Sequence, residues 1–230
     1  NKNYTIYCLA RSQNKKMALR KLQQTIDFFK LPELDYKRIK IVCGDLGRIR
    51  FGLSKKHFNF LAEKIDVIVH AGAIVNFEMD YASLKQANIC GTWEVLRLSA
   101  AVRSKPVHHI SSLAVLGIDH SKEVKSIYYE NDSIEVKPST AYAQTKLIAE
   151  KSVQFAIERG LKANIYRFGE IAPSAKTGVP NPRSLHYLFI KACQTILTRP
   201  DISLKFDYLP VDFVVDFIVK IIISERGEFL

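Results

Sequence analysis

Residues 67–112 read VIVHAGAIVNFEMDYASLKQANICGTWEVLRLSAAVRSKPVHHISS, and the order of their chemistry decides the fold. A short apolar run, Val67 to His70, is followed by three small residues, Ala71, Gly72 and Ala73. An amphipathic stretch from about Leu84 to Arg103 then leads to a second apolar run, Val107 to Ser111. Short β-branched runs make strands, and a helix-length stretch between two of them makes a crossover, so the unit is strand, helix, parallel strand. The same rhythm extends outward, with strands expected at about Tyr4–Leu9, Ile39–Cys43 and Asn164–Arg167 and helices at about Lys15–Phe29 and Thr140–Arg159. Strands apolar on both faces need helices on both faces, which predicts an α/β, Rossmann-like, doubly wound parallel sheet. Ligands of such sheets bind beyond the carboxyl ends of the strands, so the residues just after each strand are the ones to inspect.

After Gly169 the rhythm loosens into APSAKTGVPNPRS, then a helix near Leu185–Leu197 and an apolar helix from about Val211. This divides the chain into a main domain, residues 1–171, and a smaller lobe, residues 172–230, whose LPVDFVV helix is expected to pack back on the main domain. A sheet of this kind normally opens with a strand and a glycine-rich turn, but the first glycine is Gly44, and Gly44, Gly47 and Gly52 lack the spacing. The expectation is that this strand and turn lie upstream of Asn1. The 230 residues alone would then expose a sheet edge and hold a dinucleotide weakly.

A chain that is 47% hydrophobic can bury one sizeable core, while its apolar runs are too short and too often charged to span a membrane. The opening NKNYTIYCLARS is no signal peptide, and a cytoplasmic protein is expected. Cys8, Cys43, Cys90 and Cys193 form no CxxC pair and have no histidine at ligand spacing, so buried thiols and no metal are expected. The net charge of +11 is uneven: residues 1–60 hold 14 Lys and Arg against 4 Asp and Glu, the remainder 20 against 19. A basic end suits a phosphate-bearing ligand or an acidic protein partner.

Tyr142 and Lys146 lie four apart on one helix, where an ammonium can lower a phenol's pKa from about 10 towards neutrality. The same spacing recurs at Tyr36/Lys40, Tyr81/Lys85 and Tyr187/Lys191, so spacing alone does not select the pair. Position does, because Ser112 closes an apolar strand thirty residues upstream and places a hydroxyl at the carboxyl edge of the sheet. Ser112 could then bind a carbonyl that Tyr142 protonates, with Lys146 holding the phenol. Arg11 follows the first strand present, where an arginine accommodates the 2′-phosphate of NADP and an acid would bind the ribose hydroxyl of NAD. His70 and His109 are read as satisfied, partly buried imidazoles rather than as ligands or bases.

With these residues in place the chain resembles the extended short-chain dehydrogenase/reductases, and within them the thioester reductase and fatty acyl reductase branch. The likeness is collinear over essentially all 230 residues: CLARS, GDL, VIVHAGAIVNF, YASLKQANICGTWEVLRLS, the strand-end Ser112, YxxxK, IYRFGEI and LPVDFVV. It implies Ser112, Tyr142 and Lys146 as the catalytic triad and Asn88 as a supporting residue. It implies Asp45 and Leu46 beside the adenine, Ala71, Gly72 and Ala73 as the turn approached by the cofactor, and Arg20 with Arg11 as phosphate-facing cations. Tyr166, Arg167 and Phe168 match the segment beside the nicotinamide, with Phe168 where a proline is usual. The function implied is NADPH-dependent reduction of a carrier-bound acyl thioester to an aldehyde or alcohol. Its partner would be a phosphopantetheinyl carrier domain within a larger multidomain protein, with no nucleic acid. A sugar-nucleotide epimerase or dehydratase, and a dinucleotide-binding protein without turnover, are the alternatives.

Overall fold

The computed structural model describes residues 4–117, 129, 130, 132, 138–201 and 208–225. Elements follow in the order β1 (Ile6–Ala10), α1 (Lys15–Phe29), β2 (Ile39–Cys43), α2 (Lys55–Lys64), β3 (Ile68–His70), α3 (Tyr81–Lys85), α4 (Gly91–Ala100), β4 (Val107–Ser112), α5 (Ala141–Glu158), β5 (Ala163–Phe168), β6 (Glu170–Ala172), α6 (Leu185–Ile196), β7 (Tyr208–Pro210) and α7 (Val211–Glu225). All pairing among these strands is parallel: β1 with β2, β3 with β4, β4 with β5, and β6 with β7. The α/β parallel class is therefore what the alternation of runs predicts.

The chain divides into two compact units, residues 1–19 with 35–168, and residues 20–34 with 169–230. In the first unit one core takes residues from both sets of strands. Phe58 and Leu61 of α2, Val95 and Leu98 of α4 and Val107 of β4 are buried together, with Tyr7 of β1, Val42 of β2 and Ile68 of β3 packed against them. Yet β1 and β3 are not hydrogen-bonded to each other among the described residues. Each presents an open edge there, and Ile6, Leu9 and Val69 are exposed. In the second unit β6 and β7 pair, and α7 follows β7 directly. Residues 202–207 and 226–230 of the expected lobe lie outside the described residues.

Several expectations need correction. The helix expected over Leu84–Arg103 starts at Tyr81, because the Asp80 carboxylate accepts the Ser83 N–H at 2.8 Å and caps it there. It then widens into a π turn, Gln86–Cys90, before α4, and stops at Ala100. The stop is made by Lys105, a buried lysine whose ammonium donates to the carbonyls of Leu98 (3.1 Å), Ala101 (2.7 Å) and Arg103 (2.7 Å). Helix α2 and strands β6 and β7 add to the elements that the apolar runs predict; α2 is capped by Ser54, whose hydroxyl accepts the His57 N–H. The four cysteines are free thiols but only half-buried: Cys8 lies on β1, Cys43 ends β2, Cys90 ends the π turn and Cys193 is on α6, and none belongs to the core cluster.

Candidate active site

Strand β4 and helix α5 make the centre of the site. Ser112, the last residue of β4, is extended at φ −151°, and its Oγ accepts the Ala114 N–H at 3.2 Å. Ser112 is thus in part a strand-end cap, but an accepting hydroxyl keeps its own proton to donate. Helix α5 starts beyond Thr140, whose side chain accepts the Ala143 N–H at 3.2 Å and fixes the first turn that carries Tyr142.

Burial separates Tyr142 and Lys146 from the other pairs of the same spacing: they are 8% and 5% exposed, whereas the lysines at 40, 85 and 191 are all exposed. The Phe77 ring lies edge-on to Tyr142, with centroids 5.3 Å apart. The Lys146 ammonium donates to the carbonyl of Ile110 at 2.5 Å, so α5 is tied to β4 two residues before Ser112. Burial pulls the lysine's pKa down to about 8, with the Glu150 carboxylate opposing that fall, so at neutral pH it carries a proton.

Asn88 sits in the π turn, buried, with its amide fully engaged. Its Oδ1 accepts the Ile74 N–H at 2.7 Å, and its Nδ2 donates to the Ile74 carbonyl (3.0 Å) and to Thr145 Oγ1 (3.1 Å). It therefore clamps the loop after β3 to α5, next to Lys146. The extra residue of a π turn is what swings its side chain toward both partners.

The exposed Ala71 and Gly72 follow β3 directly. Asp45 follows β2 after Gly44, and its carboxylate accepts the Gly47 N–H at 2.9 Å, shaping a tight turn that brings Leu46 inward. Leu46 is accommodated by two glycines. A Cβ on Gly91 would stand 2.5 Å from Leu46 Cγ, and one on Gly72 would stand 3.2 Å from its Cδ2. Arg11 is exposed immediately beyond β1. Arg20 is exposed on α1, in the stretch that groups with the second unit. Tyr166 is buried on β5 with its hydroxyl 2.7 Å from His108 Nδ1, and its ring lies parallel to that of Phe168. The Tyr166 hydroxyl is thus engaged inside the fold, while Phe168 is half-buried.

Two features escaped sequence reasoning. Glu150, one turn after Lys146, is fully buried; it accepts from Ser111 Oγ at 2.6 Å and from Arg167 at 2.6 and 3.1 Å. Its signal was available as a carboxylate on the buried face of a helix, i+4 from the lysine. His109 overturns the expectation of a satisfied, partly buried ring. It is fully buried, 5.1 Å centroid to centroid from His70, and neither ring nitrogen has a hydrogen-bond partner among the described residues. The cause is its place on the central strand β4, with β3 and β5 on either side. His70, in contrast, meets Thr92 Oγ1 at 2.9 Å.

A parallel sheet with a serine at the end of one strand and a buried Tyr-x-x-x-Lys on the next helix is the layout of short-chain dehydrogenase/reductase-type oxidoreductase domains, and this chain is of that class. Within it, the NAD-binding family described as male sterility protein matches residues 1–218, and the chain belongs to that family.

The chain is 36% identical over 224 residues to a linear gramicidin synthase component of Brevibacillus parabrevis, covering 96% of this chain and 4% of that protein. It is 31% identical over 236 residues to the L-2-aminoadipate reductase large subunit of Eremothecium gossypii, covering 97% of this chain and 17% of that one. Among solved structures it is similar to the terminal R domain from the myxalamid PKS-NRPS biosynthetic pathway, with TM-score 0.87 and 36% identity over 93% of this chain and 55% of that chain. It therefore spans a small part of these curated relatives and about half of that R domain. Among the described residues no helix is long and apolar enough to cross a membrane.

Proposed function

We propose that this chain is the cofactor-binding and catalytic part of a cytoplasmic, NADPH-dependent reductase. Its substrate is an acyl thioester held on the phosphopantetheine arm of a carrier domain in the same multidomain protein. The observation that supports this most is the buried Tyr142–Lys146 pair, tied to β4 beside Ser112. A dinucleotide fits the residues present: Ala71 and Gly72 leave the backbone open after β3, and Arg11 stands exposed after β1, where a 2′-phosphate would lie. Asp45 and Leu46 would flank the adenine, and Arg20 would add a second cation.

NADPH, when bound, supplies the hydride. Ser112 donates a hydrogen bond to the thioester carbonyl oxygen, and Tyr142 delivers its proton to that oxygen as negative charge develops there. Lys146, protonated, places a positive charge on the same helix face as Tyr142, which favours release of the phenol's proton, and it would hold the cofactor ribose. The product of hydride and proton addition is a hemithioacetal, whose C–S bond breaks to release an aldehyde and the carrier thiol. A second round would give the alcohol. The names of the relatives, a linear gramicidin synthase and an aminoadipate reductase, accord with a carrier-bound substrate. Residues 1–171 would form the cofactor domain and 172–230 part of the lobe that receives the acyl group.

The test is loss of NADPH absorbance with an acyl-phosphopantetheine thioester, with the aldehyde identified. Tyr142→Phe should lose about two to four orders of magnitude in turnover and still bind NADPH. Near-normal turnover by that variant would sink the assignment.

A further inference from the structure

Three elements converge on Glu150. It lies on α5 one turn beyond Lys146; Ser111 is the β4 residue next to Ser112; and Arg167 is the β5 residue paired in register with Ser111. The carboxylate takes hydrogen bonds from both partners, 2.6 Å from Ser111 Oγ and 2.6 Å from Arg167 Nη2, and is fully buried, with the arginine side chain 15% exposed. The next register pair is Ser112 with Phe168, so the bonds to Glu150 are made one residue before the strand-end serine and from within the segment expected beside the nicotinamide. We propose that Glu150 is a positioning residue of the reductase site: it fixes α5 against the ends of β4 and β5, and it is the buried counter-charge of Lys146. This rests on the triad reading given under Proposed function.

Geometry and electrostatics agree. Arg167 takes Oε1 of the carboxylate and Ser111 takes Oε2, so both oxygens are satisfied and one of the two bonds ties Glu150 to the residue next to Ser112. The groups facing Lys146 are Tyr142 and Glu150 on its own helix, His109 on β4 and His70 on β3, with Arg167 of β5 beyond Glu150. Burial and the lysine's own charge hold His70 and His109 neutral down to about pH 3 and 2, so neither changes charge in the working range. Glu150 is the group that raises the pKa of Lys146 against burial.

The experiment compares the intact protein with Glu150→Gln, which keeps shape and removes charge. One arm follows pH dependence of NADPH oxidation with the thioester; the other measures the pKa of Lys146 directly, by pH-dependent amine labelling read by mass spectrometry without substrate. Removing the carboxylate should move the labelling pKa of Lys146 down by about one unit or more, and the alkaline limb of kcat/KM should move with it. Because Gln leaves Arg167 buried without its anion, a second variant, Glu150→Gln with Arg167→Gln, removes both charges and should show the same direction of shift in a more stable background. An unchanged labelling pKa in whichever of the two folds would overturn the proposal. A shifted labelling pKa in a protein that never oxidises NADPH with thioesters would support the role of Glu150 while refuting the proposed reaction.

Discussion

Arg11 stands one residue beyond β1, exposed to solvent, at the end of the sheet where strands of this class meet their ligands. No acid stands in its place to bind a ribose 2′-hydroxyl, and a guanidinium there matches a phosphate in charge and in hydrogen-bond geometry. Arg11→Ala should therefore weaken NADPH binding by roughly 1.5 to 3 kcal/mol and leave NADH nearly unchanged. Calorimetry with the two cofactors measures the difference, and equal weakening of both would show that Arg11 touches only what they share. At this scale the placement of the candidate residues was readable from type and spacing: Ser112 at a strand end, Tyr142 and Lys146 on one helix, Arg11 after a strand. Glu150 was half-readable, as a carboxylate four residues after Lys146, but its partners from β4 and β5 were not, nor was the burial of His109, because distance and pairing register are not written in local spacing.

Helix boundaries show the same division between local and non-local causes. Asp80 and Thr140 cap α3 and α5 through side-chain acceptors three residues from the N–H they bind, a signal internal to the segment. The end of α4 is different. Its amphipathic pattern continues to Arg103, but the chain turns after Ala100, with Val102 at φ 64°, because the Lys105 ammonium folds back onto three carbonyls and Ser99 Oγ donates to the Lys105 carbonyl at 2.7 Å. A lysine reads as a solvated charge in sequence, and burial lowers this one's pKa. Replacing it with Met keeps the aliphatic stem and removes every one of those ammonium bonds, which should cost about 2 to 3 kcal/mol from unsatisfied carbonyls. An unfolding free energy from urea titration within about 0.5 kcal/mol of the parent protein's would show that solvent replaces the cap.

Across the whole molecule the alternation of apolar and amphipathic runs was enough to read a parallel α/β fold. The grouping of residues 20–34 with 169–230 was not readable, since it depends on long-range packing. Long-range packing also buries the His70–His109 pair, and this has a consequence for global stability. Burial, with the Lys146 charge adding to it, lowers the pKa of His70 to about 3; the same two causes, with His70 added, lower that of His109 to about 2. In the unfolded chain both rings take up protons as pH falls through about 6.5. The unfolded state therefore binds more protons than the folded one between pH 6.5 and about 3, and folding stability must fall on acidification, by about 1.4 kcal/mol per pH unit for each ring once well below pH 6.5. His109→Phe removes one of these sites, and it sacrifices no hydrogen bond because neither ring nitrogen has a partner among the described residues. The free energy of unfolding in urea, measured at intervals from pH 6.5 to 4.5, should fall less steeply in the variant than in the parent by that single-ring amount. Carboxylates such as Asp80 and Asp212, whose pKa values lie below their usual range in the folded protein, add the same acid-linked loss to both proteins, so the difference between the two curves isolates His109. Parallel curves would mean that His109 protonates as readily in the folded protein as in the unfolded chain, and that its buried place on β4 is reached by water.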